Sequence, residues 1–334
     1  MIKVAGDINF TDGFFDTGFG VGSSLIDGKD PFSKLKRNNG DLWVGNFECV
    51  TSKESNNNGI KKKQFIIDPK YLKHFEHFNY YNVANNHSMQ HGEESFRSML
   101  TSITKFGSEY FGANKKRSVK FKHQGVKVSL TSFSLRNDGF GIQPLYWNNP
   151  EYYQIKEEYN ALSDCDFKIL YVHWGNEFID VPYEDQKKFA HSLIDMGFDL
   201  IIGMHPHLLQ GYEIYKGKYI FYSIGNFVFN MPSDVLQYGA IIKIDFQNND
   251  IKIDFDYIHI EKDFFPIVID ESKVPMPYRF PTLNRKLSLH QNNEEYYHLV
   301  DKGLNLYRRD NYKYIISNTF NYKLLDLSSV IIDF

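Results

Sequence analysis

Residues 167–207 read FKILYVHWGNEFIDVPYEDQKKFAHSLIDMGFDLIIGMHPH, and this stretch decides the fold class. Residues 167–172 are a continuous apolar run of strand length, the pattern of a strand buried on both faces. Pro182 suits the first turn of a following helix, where Glu184 and Asp185 complement the positive end of the helix dipole. Phe189, Ala190, Leu193 and Ile194 recur at helical spacing and give that helix its buried stripe. Gly197 can end it, and residues 199–204 (DLIIGM) form the next strand. Strand, helix and strand in this order make a β-α-β unit, hence a parallel sheet covered by helices.

The rhythm extends in both directions. Towards the N-terminus, strands are expected at 2–7, 41–50, 80–84 and 126–133, and helices at 69–78, 93–106 and 152–162. By the period of two, Leu42, Val44, Asn46, Glu48 and Val50 share one face. A Gly- and Phe-rich loop runs to Ser24, and 51–64 is a polar loop. Beyond 204, residues 219–223 read as a strand, and 242–246 with 251–255 as an antiparallel hairpin with one wet face. Prolines 266, 275, 277 and 281 mark a strap, followed from about Glu294 by a helical stretch and the apolar end Val330-Ile331-Ile332. The fold class is mixed α/β, with residues 1–260 as one domain and 261–334 as a strap and helical extension packed on it.

The composition excludes several functions. Among 334 residues, Lys and Arg total 38 and Asp and Glu total 41, for a net charge of −3. That balance argues against a protein that grips a nucleic-acid backbone. Two cysteines, Cys49 and Cys165, allow neither a disulfide framework nor a Cys-rich metal site. No run approaches the roughly 20 apolar residues of a membrane span, and MIKVAGD lacks a signal-peptide core. The chain as given reads as cytoplasmic, or as trimmed of an anchor. Gly18, Gly20 and Gly22 lack the GK[ST] ending of a phosphate loop, and Ser223 is not in a GxSxG elbow.

Polar residues crowd the ends of the strands. The clusters are Gly6-Asp7-Ile8-Asn9, Gly45-Asn46-Phe47-Glu48, Asn85-Asn86-His87, His173-Trp174-Gly175-Asn176-Glu177 and Gly203-Met204-His205-Pro206-His207. Open α/β sheets place ligand sites at such strand ends. Any one cluster has a plain structural reading: Asp7-Asn9 as a turn, Asn46 and Glu48 as edge-strand polars, Asn85-Asn86 as a cap, His173 as a core histidine. Five together, all of metal-binding types, point to one site. Side chains at i and i+2 of an extended backbone project to one side, about 6.6 Å apart. Pro206 pushes His205 out of the α region, so His205 and His207 are expected to project together from extended backbone. This spacing suits two neighbouring ions, and mixed oxygen and imidazole donors suit Mn, Fe, Zn or Mg.

At these residues the sequence resembles the CapA family, the capsule or poly-γ-glutamate biosynthesis proteins of the calcineurin-like metallophosphoesterase superfamily. The matching segments are GDINF (6–10), DLWVGNFE (41–48), VANNHS (83–88), VHWGNE (172–177), IIGMHPHLLQGYE (201–213) and YSIGNFVF (222–229), within residues 1–260. The resemblance implies two mixed sheets flanked by helices, with two divalent ions at the strand ends. It implies Asp7, Glu48, Asn86, His173, His205 and His207 as metal ligands and His87 as the acid that protonates a leaving group. Asn9, Asn46, Trp174, Glu177 and Asn226 are expected to support these ligands or to contact substrate. The family pattern NNHxxDxG carries an Asp where this chain has Gln90, which cannot act as the carboxylate partner of His87; either His91 or another acid substitutes, or acid catalysis is weaker here.

The implied function is a metal-dependent hydrolase acting on a cell-envelope polymer or a phosphorylated small molecule, with a metal-activated water as nucleophile. Two alternatives stand beside it. One is a γ-glutamyl amide hydrolase. The other is a non-catalytic subunit that binds or assembles the capsule polymer.

Overall fold

The computed structural model describes residues 1–12, 19–52, 65–72, 75–137, 139, 143–247, 250–289 and 292–321. In chain order the elements begin with β1 (Ile2–Ile8), α1 (Val21–Ile26), β2 (Leu42–Phe47), the short pair β3 (Val50–Thr51) and β4 (Ile66–Ile67), and β5 (Tyr80–Asn82). There follow α2 (Gly92–Lys105), β6 (Glu109–Phe111), β7 (Ser118–His123), β8 (Val126–Ser134), α3 (Tyr152–Ala161) and β9 (Phe167–His173). Next come α4 (Glu184–Met196), β10 (Leu200–Met204), β11 (Tyr212–Tyr215), β12 (Lys218–Phe221) and β13 (Asn226–Val228). The chain then runs through β14 (Tyr238–Gln247), β15 (Asp250–Ile260), β16 (Pro266–Ile269), α5 (Phe280–Leu287) and α6 (Asn293–Ser317).

These strands build two large mixed sheets. One has the order β16-β15-β14-β1-β2-β5-β6, with β13 also pairing β1; the other runs β11-β12-β10-β9-β8-β7. Alternation along each strand explains how they stack. Ile2 and Val4 of β1 meet Ile169 and Tyr171 of β9 and Leu200 and Ile202 of β10 in one core between the sheets. The intervening Leu170, Val172 and Ile201 face outward onto Ala190, Leu193 and Ile194 of α4. On the far side, Ala5, Ile8 and Phe47 belong to the core that holds Phe96, Met99 and Ile103 of α2. The result is a helix–sheet–sheet–helix sandwich, and the continuous apolar run at 167–172 follows from burial on both faces.

Several expectations are corrected. The single helix expected over 69–78 is two 3-10 turns, Pro69–Tyr71 and Phe75–His77. Asp68 accepts a hydrogen bond from the Lys70 N–H at 3.0 Å, and the His77 carbonyl is taken by the Arg37 guanidinium. The glycine-rich loop ends in α1, held by Asp12, whose carboxylate accepts from the Ser23 N–H at 2.7 Å and the Ser23 hydroxyl at 2.6 Å. Pro182 lies just outside α4, because Tyr183 is its N-cap, while Gly197 closes it with φ 127°. Strands β6, β7, β11 and β16 were not foreseen, and β16 carries the first sheet past residue 260. The expected loop at 53–64, the hairpin turn at 248–249 and the apolar end at 330–332 lie outside the described residues. No described helix is long and apolar enough to cross a membrane.

Parallel pairing sets where the polar clusters meet. β1, β2 and β5 run parallel in one sheet, and β8, β9 and β10 in the other. Their carboxyl ends therefore open on one edge of the sandwich. The ends of neighbouring strands of the second sheet approach closely there: a methyl group on Gly203 of β10 would lie 2.0 Å from the Tyr222 carbonyl oxygen and 2.3 Å from Trp174 Nε1. We expect Gly203→Ala to lower unfolding stability by about 1–3 kcal/mol, the usual cost of overpacking a filled core, as a shifted midpoint in urea. An unchanged midpoint would contradict this packing.

Candidate metal centre

Asp7 is the first group of the site, and a register shift aims it there. The pairing of β1 with β13 slips between Asp7 and Ile8, the kind of irregularity that turns a side chain away from regular alternation. Asp7 is fully buried. Its Oδ1 accepts from Asn46 Nδ2 at 2.7 Å, and its Oδ2 from the His205 N–H at 3.3 Å. Asn46, at the end of β2, also donates to Glu48 Oε2 at 3.2 Å. Its own carbonyl accepts from Asn82 at 2.8 Å and Asn85 at 3.2 Å. Asn82 was not foreseen as part of this network; its only signal was an amide closing the short apolar strand YYN, where such residues are depleted.

Glu48 stands at the centre. Its Oε1 is buried without a hydrogen-bond partner among the described residues, yet it lies 3.7 Å from His207 Nε2 and 3.9 Å from Nε2 of both His173 and His87. His173 Nε2 is in turn 2.8 Å from Asn86 Oδ1 and 3.1 Å from His205 Nδ1. Asn226 Oδ1 is 2.9 Å from His207 Nδ1. An amide oxygen only accepts, so this contact places the His207 proton on Nδ1 and leaves the Nε2 lone pair towards Glu48.

The two histidines of the HPH turn do not sit in extended backbone. His205 has φ 98° and His207 φ 62°, a region costing of order 1–3 kcal/mol for a residue with a side chain. Pro206 does exclude the α conformation before it, but the backbone takes the left-handed side instead. The turn must bring both rings back over the strand ends, and their centroids are 6.0 Å apart.

Electrostatics defines what is missing. Burial pushes Asp7 up to about 6 and Glu48 well above the carboxylate range, with the negative charge of Asp7 adding to the effect on Glu48. Burial likewise holds His173 and His205 well below the usual imidazole value and pushes His207 down to about 3. No lysine or arginine among the described residues pairs with either carboxylate. Buried carboxylates are normally paired or bound to metal. Neutral imidazoles, two carboxyl groups, an orphaned Glu48 oxygen and an orphaned His205 Nε2 fit a divalent cation. Two donor groups, Glu48-His205-His207 and Asp7-Glu48-His173, each have atoms within 4.8 Å of one another and share Glu48.

The remaining residues fall around this centre. His87 stacks on Phe65 at 4.0 Å between centroids, and its Nδ1 donates to Gln90 Oε1 at 2.8 Å. The amide at Gln90 thus orients His87 itself, although it brings no charge. Glu177 lines a cavity of about 420 Å³ together with His87 and His207. Asn9 Oδ1 accepts from the N–H and hydroxyl of Thr11 at 2.9 and 2.6 Å, while its Nδ2 is buried with no hydrogen bond to a described residue. Trp174 is also spent on structure, donating to the Tyr222 carbonyl at 2.9 Å.

Comparison with known proteins places this geometry among relatives. The chain is 29% identical over 227 residues to the PGA biosynthesis protein CapA of Bacillus subtilis, covering 63% of this chain and 58% of that one. It is 29% identical over 184 residues to the capsule biosynthesis protein CapA of Bacillus anthracis, covering 50% and 44%. The chain thus spans about half the length of these relatives. Among solved structures, a phosphatase from Mycoplasma pneumoniae aligns with TM-score 0.46 and 15% identity, covering 77% of this chain and 92% of that one. The family model of the bacterial capsule synthesis protein PGA_cap matches residues 1–231, well over half of the chain, and the chain belongs to that family.

Proposed function

We propose that the chain is a divalent-metal-dependent hydrolase acting on a phosphorylated or polymeric substrate in capsule synthesis. The observation that carries this reading is the buried Glu48 oxygen, unpartnered yet within 3.7–3.9 Å of three imidazole nitrogens. Asp7, Glu48, Asn86, His173, His205 and His207 would hold two ions of Mn, Fe, Zn or Mg. Bound there, the ions supply positive charge to the reacting group and acidify a water towards neutral pH. The protein supplies the rest. Asn226 and Asn46 set the orientation of the donors, and the depressed imidazole pKa values keep lone pairs available at neutral pH. His87, stacked on Phe65 and oriented by Gln90, is placed to give a proton to the leaving group. Elemental analysis and a panel of phosphomonoesters, phosphodiesters and γ-glutamyl amides test the proposal. Absence of retained metal, or of hydrolysis in every class, would refute it.

The second reading is a non-catalytic subunit that binds the capsule polymer. Gln90 favours it, since a neutral amide cannot stabilise a charged His87 as a carboxylate would. The substrate panel separates the two readings, and hydrolysis confined to the amides would single out γ-glutamyl chemistry.

Three outcomes are expected. Asp7 must lose its proton to bind a cation, and its pKa in the metal-free protein is raised to about 6. Affinity for Mn²⁺ therefore falls as pH drops through that value, by up to about tenfold per pH unit for each carboxyl protonated, as read by calorimetric titration between pH 5 and 7.5.

His207→Ala should lose metal and turnover together, whereas His87→Ala should keep its metal and lose about 10²–10⁴-fold in turnover. Equal metal loss in both variants would show that His87 is a ligand.

Gln90→Asp adds a negative charge at the 2.8 Å contact with His87. The charged imidazole gains a partner and persists to higher pH, so the alkaline limb of the pH–rate profile should move up at saturating metal. An unmoved limb would mean that proton donation from His87 does not limit the rate.

A further inference from the structure

The helix α6 (Asn293–Ser317) lies outside the residues matched by the family model, yet it closes over the metal centre. Tyr307 stacks on Phe178 at 4.2 Å between centroids, Tyr296 accepts from Asn176 at 3.1 Å, and Asp310 accepts from Ser233 at 2.6 Å. Asn292 and Glu295 form a capping box that fixes its start. The cavity lined by His87 and His207 is lined on the helix by Leu304, Tyr307, Arg308, Asn311 and Tyr312. These positions recur at i, i+3, i+4, i+7 and i+8 and so form one face.

The inward face of a surface helix is normally apolar, and this one is not. Asn311 is only 9% exposed and lines the cavity, and its side chain makes no hydrogen bond to another described residue. Its amide therefore faces the cavity and is available to a ligand there. Arg308, one turn away, is exposed at the cavity rim and has no hydrogen-bond or ion-pair partner among the described residues, whereas the adjacent Arg309 pairs with Asp310 at 3.1 Å. A guanidinium recognises the paired oxygens of a carboxylate or phosphate, and an amide N–H can donate beside it. Burial raises the carboxyl pKa of Glu177 in the same cavity, which lessens its repulsion of an anion.

We propose that α6 completes the substrate site, with Arg308 and Asn311 binding an anionic oxo group, carboxylate or phosphate, carried by the substrate beside the group that reaches the metal centre. This rests on the hydrolase reading and narrows its substrates to molecules with two such groups. A simple monoester would leave Arg308 and Asn311 unused.

Phosphonates that cannot be hydrolysed test the idea by binding alone. Metal-loaded protein is titrated calorimetrically with phenylphosphonate and with the meta and para forms of carboxyphenylphosphonate and phenylenebisphosphonate. Wild type should bind at least one two-group ligand tenfold or more tightly than phenylphosphonate. Arg308→Gln should abolish that gain, Asn311→Asp should reduce it, and Arg308→Lys should retain part of it. Phenylphosphonate affinity and metal content should stay unchanged in all three. A gain confined to the carboxylate ligands, or to the bisphosphonates, identifies the group selected, and both outcomes support the site. Absence of any gain in wild type, or its persistence in Arg308→Gln, overturns the proposal. Protein that retains no metal fails the hydrolase reading separately; the same Arg308→Gln comparison on metal-free protein still decides the role of the helix.

Discussion

The oxygen Oε1 of Glu48 is buried with no hydrogen-bond partner among the described residues, and three imidazole nitrogens stand within 3.7–3.9 Å of it. Around this atom are Asp7, equally buried, and histidines that burial keeps neutral. Two carboxyl groups thus lie together with no lysine or arginine beside them among the described residues, and carrying their charge out of water is costly, which is why burial raises both pKa values. The surrounding architecture is organised to hold that arrangement. The amides of Asn46 and Asn226 bind Asp7 and His207, and those of Asn82 and Asn85 brace Asn46, the kind of outer hydrogen bonding usual around metal sites.

Local backbone irregularities serve the same end. The register slips at Asp7, and His205 and His207 adopt positive φ. Strain of this kind persists only where surrounding structure over-determines it. Here the restraint comes from the core between the two sheets and from close backbone approaches such as Gly203 against the Tyr222 carbonyl. The sandwich is thus a rigid frame whose two sets of parallel strands deliver donors from opposite sheets to one edge. A single sheet would not bring His173 within hydrogen-bonding distance of Asn86, since these residues follow strands of different sheets.

The outer wall has a different origin. The sheets and strand ends make the donor set, but the cavity above it is shaped by Phe65, Phe178 and α6. Relatives that share the strand-end motifs can therefore differ in the chemistry of this wall without disturbing the donors. Folds that host several activities commonly keep a shared site and vary the elements around it.

Much was legible from the sequence alone, because local pattern reports burial. The doubly buried run at 167–172, the helical stripe through Phe189 and Leu193, and the hairpin around 242–255 all follow from which faces avoid water. The strand-end clusters were legible too, since Asp, Asn and His are conspicuous beside apolar strands. Other features depend on long-range contact. The two 3-10 turns, Pro69–Tyr71 and Phe75–His77, are held by contacts the local pattern does not show, among them the Arg37 guanidinium on the His77 carbonyl. The left-handed backbone of the HPH turn depends on the sheet beneath it. The inward face of α6 is invisible in sequence, because Arg308 and Asn311 read as ordinary polar helix positions until the helix is docked. Periodicity tells a chain which face to bury. Only the packed structure decides what that face meets, since residues 7, 48, 86, 173, 205 and 207 become neighbours through sheet pairing and not through proximity along the chain.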